Sequence, residues 1–274
     1  MTPNDTPLVS VITPAHNAGR FIERLVACVR QQEGVIYEHI IVNDASIDDT
    51  ASRLQHLAFN DPRIRLIHCP KNVGVVKARN LAIAAASGRF LAFLDADDVW
   101  LPEKIRCQTD FMQRTGVAIS YTDYRFMSED GTLIGARLCG PSRIGWHMHH
   151  MTRYLGCLTV MVDRTQCPDF SFGTVLPEYR AEDFLAWAKL IRQHGYAYRC
   201  PHDLARYAVV ANSRSSDGTR AARSVWRLYR DVEHLPALQA MLYFIVYALF
   251  ASTKRFLCKP RRPVSSPFTF TNPD

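Results

Sequence analysis

The 274-residue chain lacks the sequence signatures of several common protein classes. Its eight cysteines form no C-x-x-C pair, which excludes zinc ribbons and thioredoxin-like redox proteins. Only a short polar segment precedes the first apolar run, which is not the pattern of a secretory signal peptide. No G-x-G-x-x-G follows that run, which argues against a dinucleotide-dependent oxidoreductase. We therefore expect a cytoplasmic, reducing location, with the cysteines mostly as small buried thiols.

The composition is that of an ordinary globular protein. Hydrophobic residues make up 47% of the chain and charged residues 22%, which suits one large α/β domain, alone or with an appendage. The net charge is +7, which favours an anionic partner such as nucleic acid, a membrane surface or a phosphorylated substrate. Residues 221–262 carry eight lysines or arginines against Asp231 and Glu233 alone, so much of the excess lies near the C-terminal end.

Short apolar runs alternate with helical patterns through the first hundred residues. The runs, rich in valine, isoleucine and leucine, predict buried strands, and the periodic segments between them predict helices. This alternation predicts parallel βαβ units, in which ligands bind at the carboxyl ends of the strands. The predicted strands are Leu8–Thr13, His39–Val42, Ile64–His68 and Phe90–Leu94, and Thr50–Leu57 and Val76–Ala86 are among the predicted helices.

Polar loops follow three of these strands. They read P-A-H-N-A-G after the first, N-D-A-S-I-D-D-T after the second and D-A-D-D-V-W after the fourth. Each could be a turn whose Asp or Asn caps a helix. Because two acidic loops are expected at one edge of the sheet, a binding site is the better interpretation.

The pattern changes from about Gly116. We expect strands at Val117–Tyr121, in a hairpin at Leu133–Ile134, at Thr159–Val162 and at Arg206–Val210, and a helix at Ala181–His194. The segment W-H-M-H-H holds His147, His149 and His150, which could bind a metal. No carboxylate lies near them in sequence, so a loop or lid is preferred.

Asp95 and Asp97 are the strongest local signal. They alternate on a segment expected to be extended, so both carboxylates can point towards one cation that prefers oxygen ligands. A magnesium or manganese ion there would neutralise charge on a departing diphosphate. The buried strand before them strengthens this interpretation.

Taken together, five motifs resemble glycosyltransferase family 2, the large inverting group with the GT-A fold. They occur in the family's order over roughly residues 8 to 210. The resemblance implies a mixed sheet flanked by helices, a nucleoside diphosphate sugar donor, Mn²⁺ or Mg²⁺, and a glycan or lipid-linked acceptor, with no nucleic-acid partner. The motifs are Val9–Gly19, Ile40–Thr50, Lys71–Asn80, Phe93–Asp98 and Glu182–Asp183.

The resemblance also assigns roles to individual residues. Asp183 would be the general base, although an acid at the start of a helix also stabilises that helix through its dipole. Asp97 would bind the metal, and Asp95 the ribose or a metal-bound water. Asp44 would bind the nucleotide base, which favours uridine. The remaining donor contacts would be Thr13, Pro14, His16, Arg79 and Arg214.

The chain departs from the family pattern at two positions within these motifs. His16 stands where the family often has Tyr, which weakens stacking on the base. Ala45 replaces a Gly, which makes that turn less permissive. Two other functions remain: a magnesium-dependent phosphohydrolase, disfavoured because its D-x-D normally opens the fold, and a nucleotide-sugar-binding module without turnover.

The C-terminal region predicts contact with a membrane. Leu235–Thr253 is uncharged over 19 residues and is followed by five cations. A packed helix, an interfacial helix and a true span are all compatible with it, and peripheral attachment to the inner face of the cell membrane is preferred. We thus divide the chain into a glycosyltransferase domain (1–220, with a donor half at 8–115 and an acceptor half at 116–220), a basic and apolar helical region (221–262) and a disordered tail (263–274).

Overall fold

The structure is a computed structural model that describes residues 8–173, 181–210 and 218–264. The first part of the chain alternates strands and helices, as the sequence predicts. Its four strands are parallel, with β1 between β2 and β4 and β3 outside β2. The elements are β1 (Val9–Ala15), α1 (Gly19–Arg30), β2 (Tyr37–Asn43), α2 (Thr50–Phe59), β3 (Ile64–His68), α3 (Val75–Ala85) and β4 (Phe90–Phe93).

The second part of the chain extends this sheet with strands of mixed direction. Strand β9 lies antiparallel between β4 and β6, whereas β10 runs parallel to β6. The elements are β5 (Val99–Trp100), α4 (Lys104–Thr115), β6 (Ile119–Ser128), β7 (Leu133–Leu138), β8 (Arg143–Ile144), α5 (Trp146–Met151), β9 (Val160–Asp163), α6 (Glu182–His194), β10 (Ala197–Val209), α7 (Gly218–Arg227), α8 (Ala237–Leu257) and β11 (Arg262–Pro263). The mixed sheet flanked by helices is confirmed.

Two hydrophobic clusters cover the opposite faces of the sheet. Helices α1, α2 and α4 pack on one face, and α3 and α6 pack on the other. Trp187 of α6 is fully buried, and its ring centroid lies 5.4 Å from that of Phe93 in β4. Because Phe93 directly precedes the acidic loop, this packing fixes α6 relative to that loop.

A third cluster joins α8 to the beginning of α6. It contains Phe184 of α6 together with Tyr243 and Tyr247 of α8 and Tyr229 from the turn before α8. The C-terminal helix therefore packs on the element that carries Asp183.

The expected loop at W-H-M-H-H is wrong, because these residues form α5. His149 and His150 are buried, and the His149 Nε2–H donates to the Phe184 carbonyl oxygen over 2.9 Å. Burial lowers the pKa of His149 to about 3. Across the described residues, no group of three or more His, Cys, Asp or Glu side chains could hold a metal. These histidines serve packing between α5, α6 and α8.

Helix α8 is apolar on its exposed side as well as on the side that packs against the protein. In the part of the chain that the structure describes, it is the one helix long and apolar enough to cross a membrane, yet only 17% of its apolar window is buried. Ala240, Tyr243 and Tyr247 face the protein. The exposed apolar residues are Leu238, Met241, Leu242, Ile245, Leu249, Phe256 and Leu257.

The predictions for the C-terminal tail and for the cysteines can also be compared with the structure. Pro263, the first residue of the segment expected to be disordered, lies in β11 and pairs with Leu133 of β7. Residues 265–274 lie outside the described range. All eight cysteines fall in described segments and are free thiols.

Candidate active site

Three loops meet at the carboxyl edge of the parallel strands. Strand β1 leads to His16, β2 to Asp44 and β4 to Asp95. Because β1 pairs in parallel with both β2 and β4, their carboxyl ends open on the same side. The predicted convergence of these loops is present.

Asp44 organises the loop before α3. Its two carboxylate oxygens accept hydrogen bonds from the backbone N–H groups of Val73 at 2.6 Å and Gly74 at 2.9 Å. Gly74 has a φ of 84° and a ψ of 157°, a conformation open essentially to glycine alone. Asp44 is buried, and it fixes the start of the helix that carries Arg79.

The turn after β2 carries strain at Ala45. Its φ is +51°, in the left-handed region that costs a residue with a Cβ about 1–2 kcal/mol. The neighbouring Ser46 N–H donates to the Asn43 side-chain oxygen over 3.2 Å, which closes the turn. The sequence expectation that alanine makes this turn less permissive agrees with that φ.

The three residues predicted to line the base and ribose lie in different environments. The His16 side chain is exposed, with its Nδ1 2.7 Å from the Asp44 carbonyl oxygen. Pro14 is half-buried. The Thr13 side chain is fully buried, and its hydroxyl contacts the His39 Nε2 at 3.0 Å inside the sheet. The structure therefore brings His16, but not the Thr13 hydroxyl, to the open edge.

The D-x-D segment is a turn, and the expectation of an extended segment is wrong. The Asp98 N–H donates to the Asp95 carbonyl oxygen over 3.1 Å, so the chain reverses at Ala96 and Asp97. The Asp98 side chain then accepts from the backbone N–H of Ala208 in β10 at 2.9 Å. Asp98 is buried and binds the turn to β10.

Arg24 of α1 holds the same turn from the other side. Its guanidinium donates to the Asp97 carbonyl oxygen at 2.9 Å and to the Glu129 carbonyl oxygen at 2.7 Å. The Asp97 carboxyl group nevertheless has its pKa raised to about 6, first by burial and then by the charge of Asp95. Two carboxylates are thus held where their negative charges repel.

Arg79 links the D-x-D turn to α6. It is buried, with one guanidinium nitrogen 2.6 Å from an Asp95 carboxylate oxygen and another 3.6 Å from a Glu182 carboxylate oxygen. Phe172 covers it, with the guanidinium carbon 5.2 Å from the ring centroid. The two ion pairs raise the pKa of Arg79 above its usual range despite burial.

Asp183 lies in the first turn of α6 and accepts a hydrogen bond at 2.7 Å from the Phe184 backbone N–H. Burial raises its pKa, the charge of Glu182 raises it further, and Arg153 and Arg79 act against this. The same carboxylate, together with Asp95 and Arg79, acts electrostatically on the buried Cys157 thiol. Because Arg79 pairs with both Asp95 and Glu182, the structure brings the start of α6, where Asp183 lies, to the D-x-D turn.

Several residues at this site were given no functional role in the sequence predictions. Asp98 and Arg24 hold the D-x-D turn, Glu182 anchors Arg79, and Arg153 lies over the ring of Phe184, the residue after Asp183. For Asp98 a signal existed, since it directly follows the D-x-D pair. Arg214, predicted to reach the diphosphate, lies outside the described residues.

A mixed sheet with acidic loops at its carboxyl edge and a D-x-D turn is the architecture of GT-A nucleotide-sugar transferases. Solved structures of this class are similar to the described chain. Residues 1–349 of TarS from Staphylococcus aureus in complex with UDP-GlcNAc give a TM-score of 0.62 at 17% identity, over 92% of this chain and 73% of that one. The mannosyltransferase PcManGT of Pyrobaculum calidifontis, with GDP-Man and Mn²⁺, gives 0.64 at 16% identity, over 91% and 75%. At these identities the likeness shows the fold.

Sequence comparison identifies the family. The model of Glycosyl transferase family 2 matches residues 10–164. The putative teichuronic acid biosynthesis glycosyltransferase TuaG of Bacillus subtilis is 38% identical over 92% of this chain and 99% of its own length. The UDP-Glc:alpha-D-GlcNAc-diphosphoundecaprenol beta-1,3-glucosyltransferase WfgD of Escherichia coli is 30% identical over 92% and 96%. The chain belongs to glycosyl transferase family 2, which confirms the family predicted from its motifs, and it is a glycosyltransferase.

Proposed function

We propose that the protein transfers a sugar from a UDP-sugar to a lipid-linked glycan acceptor during assembly of a bacterial surface polysaccharide. The observation that carries this proposal is that Arg79 joins Asp95 of the D-x-D turn to Glu182, the neighbour of Asp183, at the carboxyl edge of the sheet. Similarity over 92% of the chain to WfgD, which acts on a diphosphoundecaprenol-linked GlcNAc, supports the acceptor class, and similarity to TuaG, named for teichuronic acid biosynthesis, supports the polysaccharide pathway.

A divalent cation fits the D-x-D turn. Asp95 and Asp97 offer hard oxygen donors, and the raised pKa of Asp97 reflects a half-buried acid beside a second negative charge. Two carboxylates leave coordination positions for phosphate and water, as Mg²⁺ and Mn²⁺ prefer. When bound, the ion supplies charge neutralisation for the departing diphosphate.

The chain's own residues then account for the rest of the reaction. The acceptor hydroxyl oxygen attacks the anomeric carbon as the bond to the diphosphate breaks, and its proton passes to the Asp183 carboxylate. A single displacement of this kind inverts the anomeric centre. Arg79 holds Asp95 in place and carries positive charge close to the leaving group, and Asp44 and His16 border the nucleotide side.

The donor is tested with a panel of nucleoside diphosphate sugars in thermal-shift measurements, with and without Mn²⁺. We expect a UDP-sugar to raise the melting temperature more with the ion than without it, and to be consumed when a diphosphate-linked GlcNAc acceptor is added. Stabilisation without any transfer would favour a binding module. Release of inorganic phosphate from the donor would favour a phosphohydrolase.

We also propose that α8 attaches the enzyme peripherally to the inner, anionic face of the cell membrane. Seven large apolar residues of this helix are exposed, and Lys259, Arg261 and Arg262 follow it. An apolar face with a basic flank is typical of helices that lie in the membrane interface. Because Ala240, Tyr243 and Tyr247 pack on the protein, a helix lying on the membrane fits this structure better than one crossing it.

Membrane attachment is tested by co-sedimentation with vesicles. The protein is expected to bind phosphatidylglycerol vesicles and to bind phosphatidylcholine vesicles much less, with binding falling as salt rises. Replacing Leu242 and Ile245 by serine should abolish binding, whereas replacing the exposed Phe59 on α2 should not. Equal binding of the double variant and the wild type would contradict the assignment.

A further inference from the structure

Two cations lie where α8 packs against the start of α6, which carries Asp183. Arg153 comes from the segment after α5, and Lys254 comes from the last turn of α8 itself. Both interact electrostatically with the Asp183 carboxylate. The proposed mechanism gives neither of them a role.

Arg153 is held by aromatic rings and has hydrogen-bonding capacity to spare. Its guanidinium carbon lies 4.4 Å from the ring centroid of Phe184 and 5.3 Å from that of Tyr247. Its Nε is buried and makes no hydrogen bond with any described residue. The rings therefore fix the plane of the guanidinium group without satisfying its donors.

Lys254 completes the pair. Its ammonium group donates to the Arg153 carbonyl oxygen over 3.0 Å and lies 5.4 Å from the ring centroids of both Tyr124 and Phe126. Burial and the charge of Arg153 lower the pKa of Lys254 to about 8. Because the charge of Arg153 disfavours the ammonium form of Lys254, an anion bound to both cations would relieve this repulsion.

No acid among the described residues forms a direct ion pair with either cation. Arg79 is occupied by Asp95 and Glu182, and among the described residues neither Arg153 nor Lys254 forms an ion pair with Asp183 or any other carboxylate. The Asp183 carboxylate instead accepts from the Phe184 backbone. Both cations are therefore left without a direct anionic partner among the described residues.

The order of these groups in the protein matches the order of groups in one kind of acceptor. From the site outward come Asp183, then Arg153 against the ring of the next residue, Phe184, then Lys254 of α8 against the Arg153 carbonyl oxygen, and then the exposed apolar face of α8. In a polyprenyl diphosphate-linked sugar, the reacting hydroxyl, the diphosphate and the lipid follow one another in the same sequence. We propose that Arg153 and Lys254 bind the diphosphate of such an acceptor, an inference that rests on the proposed function.

Binding of farnesyl diphosphate tests this subsite directly. The titration is made without divalent metal, so that the D-x-D turn does not take the diphosphate, and farnesol serves as the probe without phosphate. Arg153→Gln and Lys254→Gln are each expected to weaken farnesyl diphosphate binding roughly tenfold or more, since each removes a charge-assisted contact. Farnesol binding should not change. Arg227→Gln, at an exposed cation of α7, is the matched control.

Two further measurements separate the outcomes. Lys254→Arg keeps the charge and should retain most of the binding, which excludes a general folding defect. In transfer assays with a diphosphate-linked acceptor, the Gln variants should raise the acceptor KM and leave the donor KM unchanged. Absence of transfer by the wild type would count against the proposed function only, whereas equal farnesyl diphosphate binding by the wild type and both Gln variants would overturn the subsite.

Discussion

Replacing Asp183 with asparagine is expected to lower kcat by about 10²–10⁴-fold and to leave the affinity for the donor unchanged, because a positioned general base contributes about that much. Asparagine keeps the size of the side chain and its oxygen, so it still accepts the hydrogen bond from the Phe184 backbone N–H. The loss would therefore report on the proton acceptor. Asp169→Asn, at an exposed acid without such neighbours, should have wild-type activity.

The pH dependence gives a second view of the same residue. Asp183 must be ionised to take a proton, and burial together with Glu182 raises its pKa above the ordinary value for an aspartate. Activity should fall as pH falls through that raised pKa, at a higher pH than for an exposed aspartate. A rate that stays constant down to the ordinary aspartate range, or an Asp183→Asn variant with full kcat, would remove Asp183 from the mechanism.

The strands that the sequence predicted well are those whose burial is complete. Runs such as Phe90–Phe93 are apolar on both faces because helices cover both sides of the parallel sheet. Strand β10 was expected only at Arg206–Val210, yet it begins at Ala197 and pairs along β6. The first part of β10 can contain charged residues because their charges are paired within the protein. Arg199, for example, donates a hydrogen bond to the Asp123 carboxylate. Hydrophobic patterning does not reveal a strand of this kind.

Motifs predicted the chemistry at the site, but its geometry required the fold. The D-x-D residues were evident from the sequence, whereas their turn depends on the hydrogen bond from Ala208 to Asp98 across 110 residues. The contact between Lys254 and the Arg153 carbonyl joins positions 101 residues apart. Neither has a local signal, since both result from packing between distant elements. Helix α5 was predicted as a loop because histidines are polar, although His149 and His150 are buried in it.

Replacing Asp97 with asparagine is expected to have opposite effects on activity and on stability. If Asp97 holds the cation, its loss should lower kcat/KM by roughly a thousandfold, the equivalent of several kcal/mol of charge stabilisation, and remove the metal dependence of donor binding. Without metal, however, the variant should be more stable than the wild type at neutral pH. The half-buried Asp97 carboxylate is costly there, because its pKa in the folded protein is raised to about 6.

The sign of this stability effect follows from proton binding. A raised pKa means that the folded state binds the proton more tightly than the unfolded state, so the wild type loses stability as pH rises from about 4 to 6. Above pH 6 the asparagine variant should therefore be more stable by about 1–3 kcal/mol, and below pH 4 the difference should vanish. Chemical denaturation of both proteins in EDTA at several pH values measures this difference in stability, with Asp110→Asn as an exposed control.

Metal binding by the wild type should weaken below about pH 6, since the ligand must lose its proton. A variant that is inactive and also less stable without metal would identify Asp97 as a structural residue, whereas one that is inactive and more stable is what a ligand held ready for a cation requires.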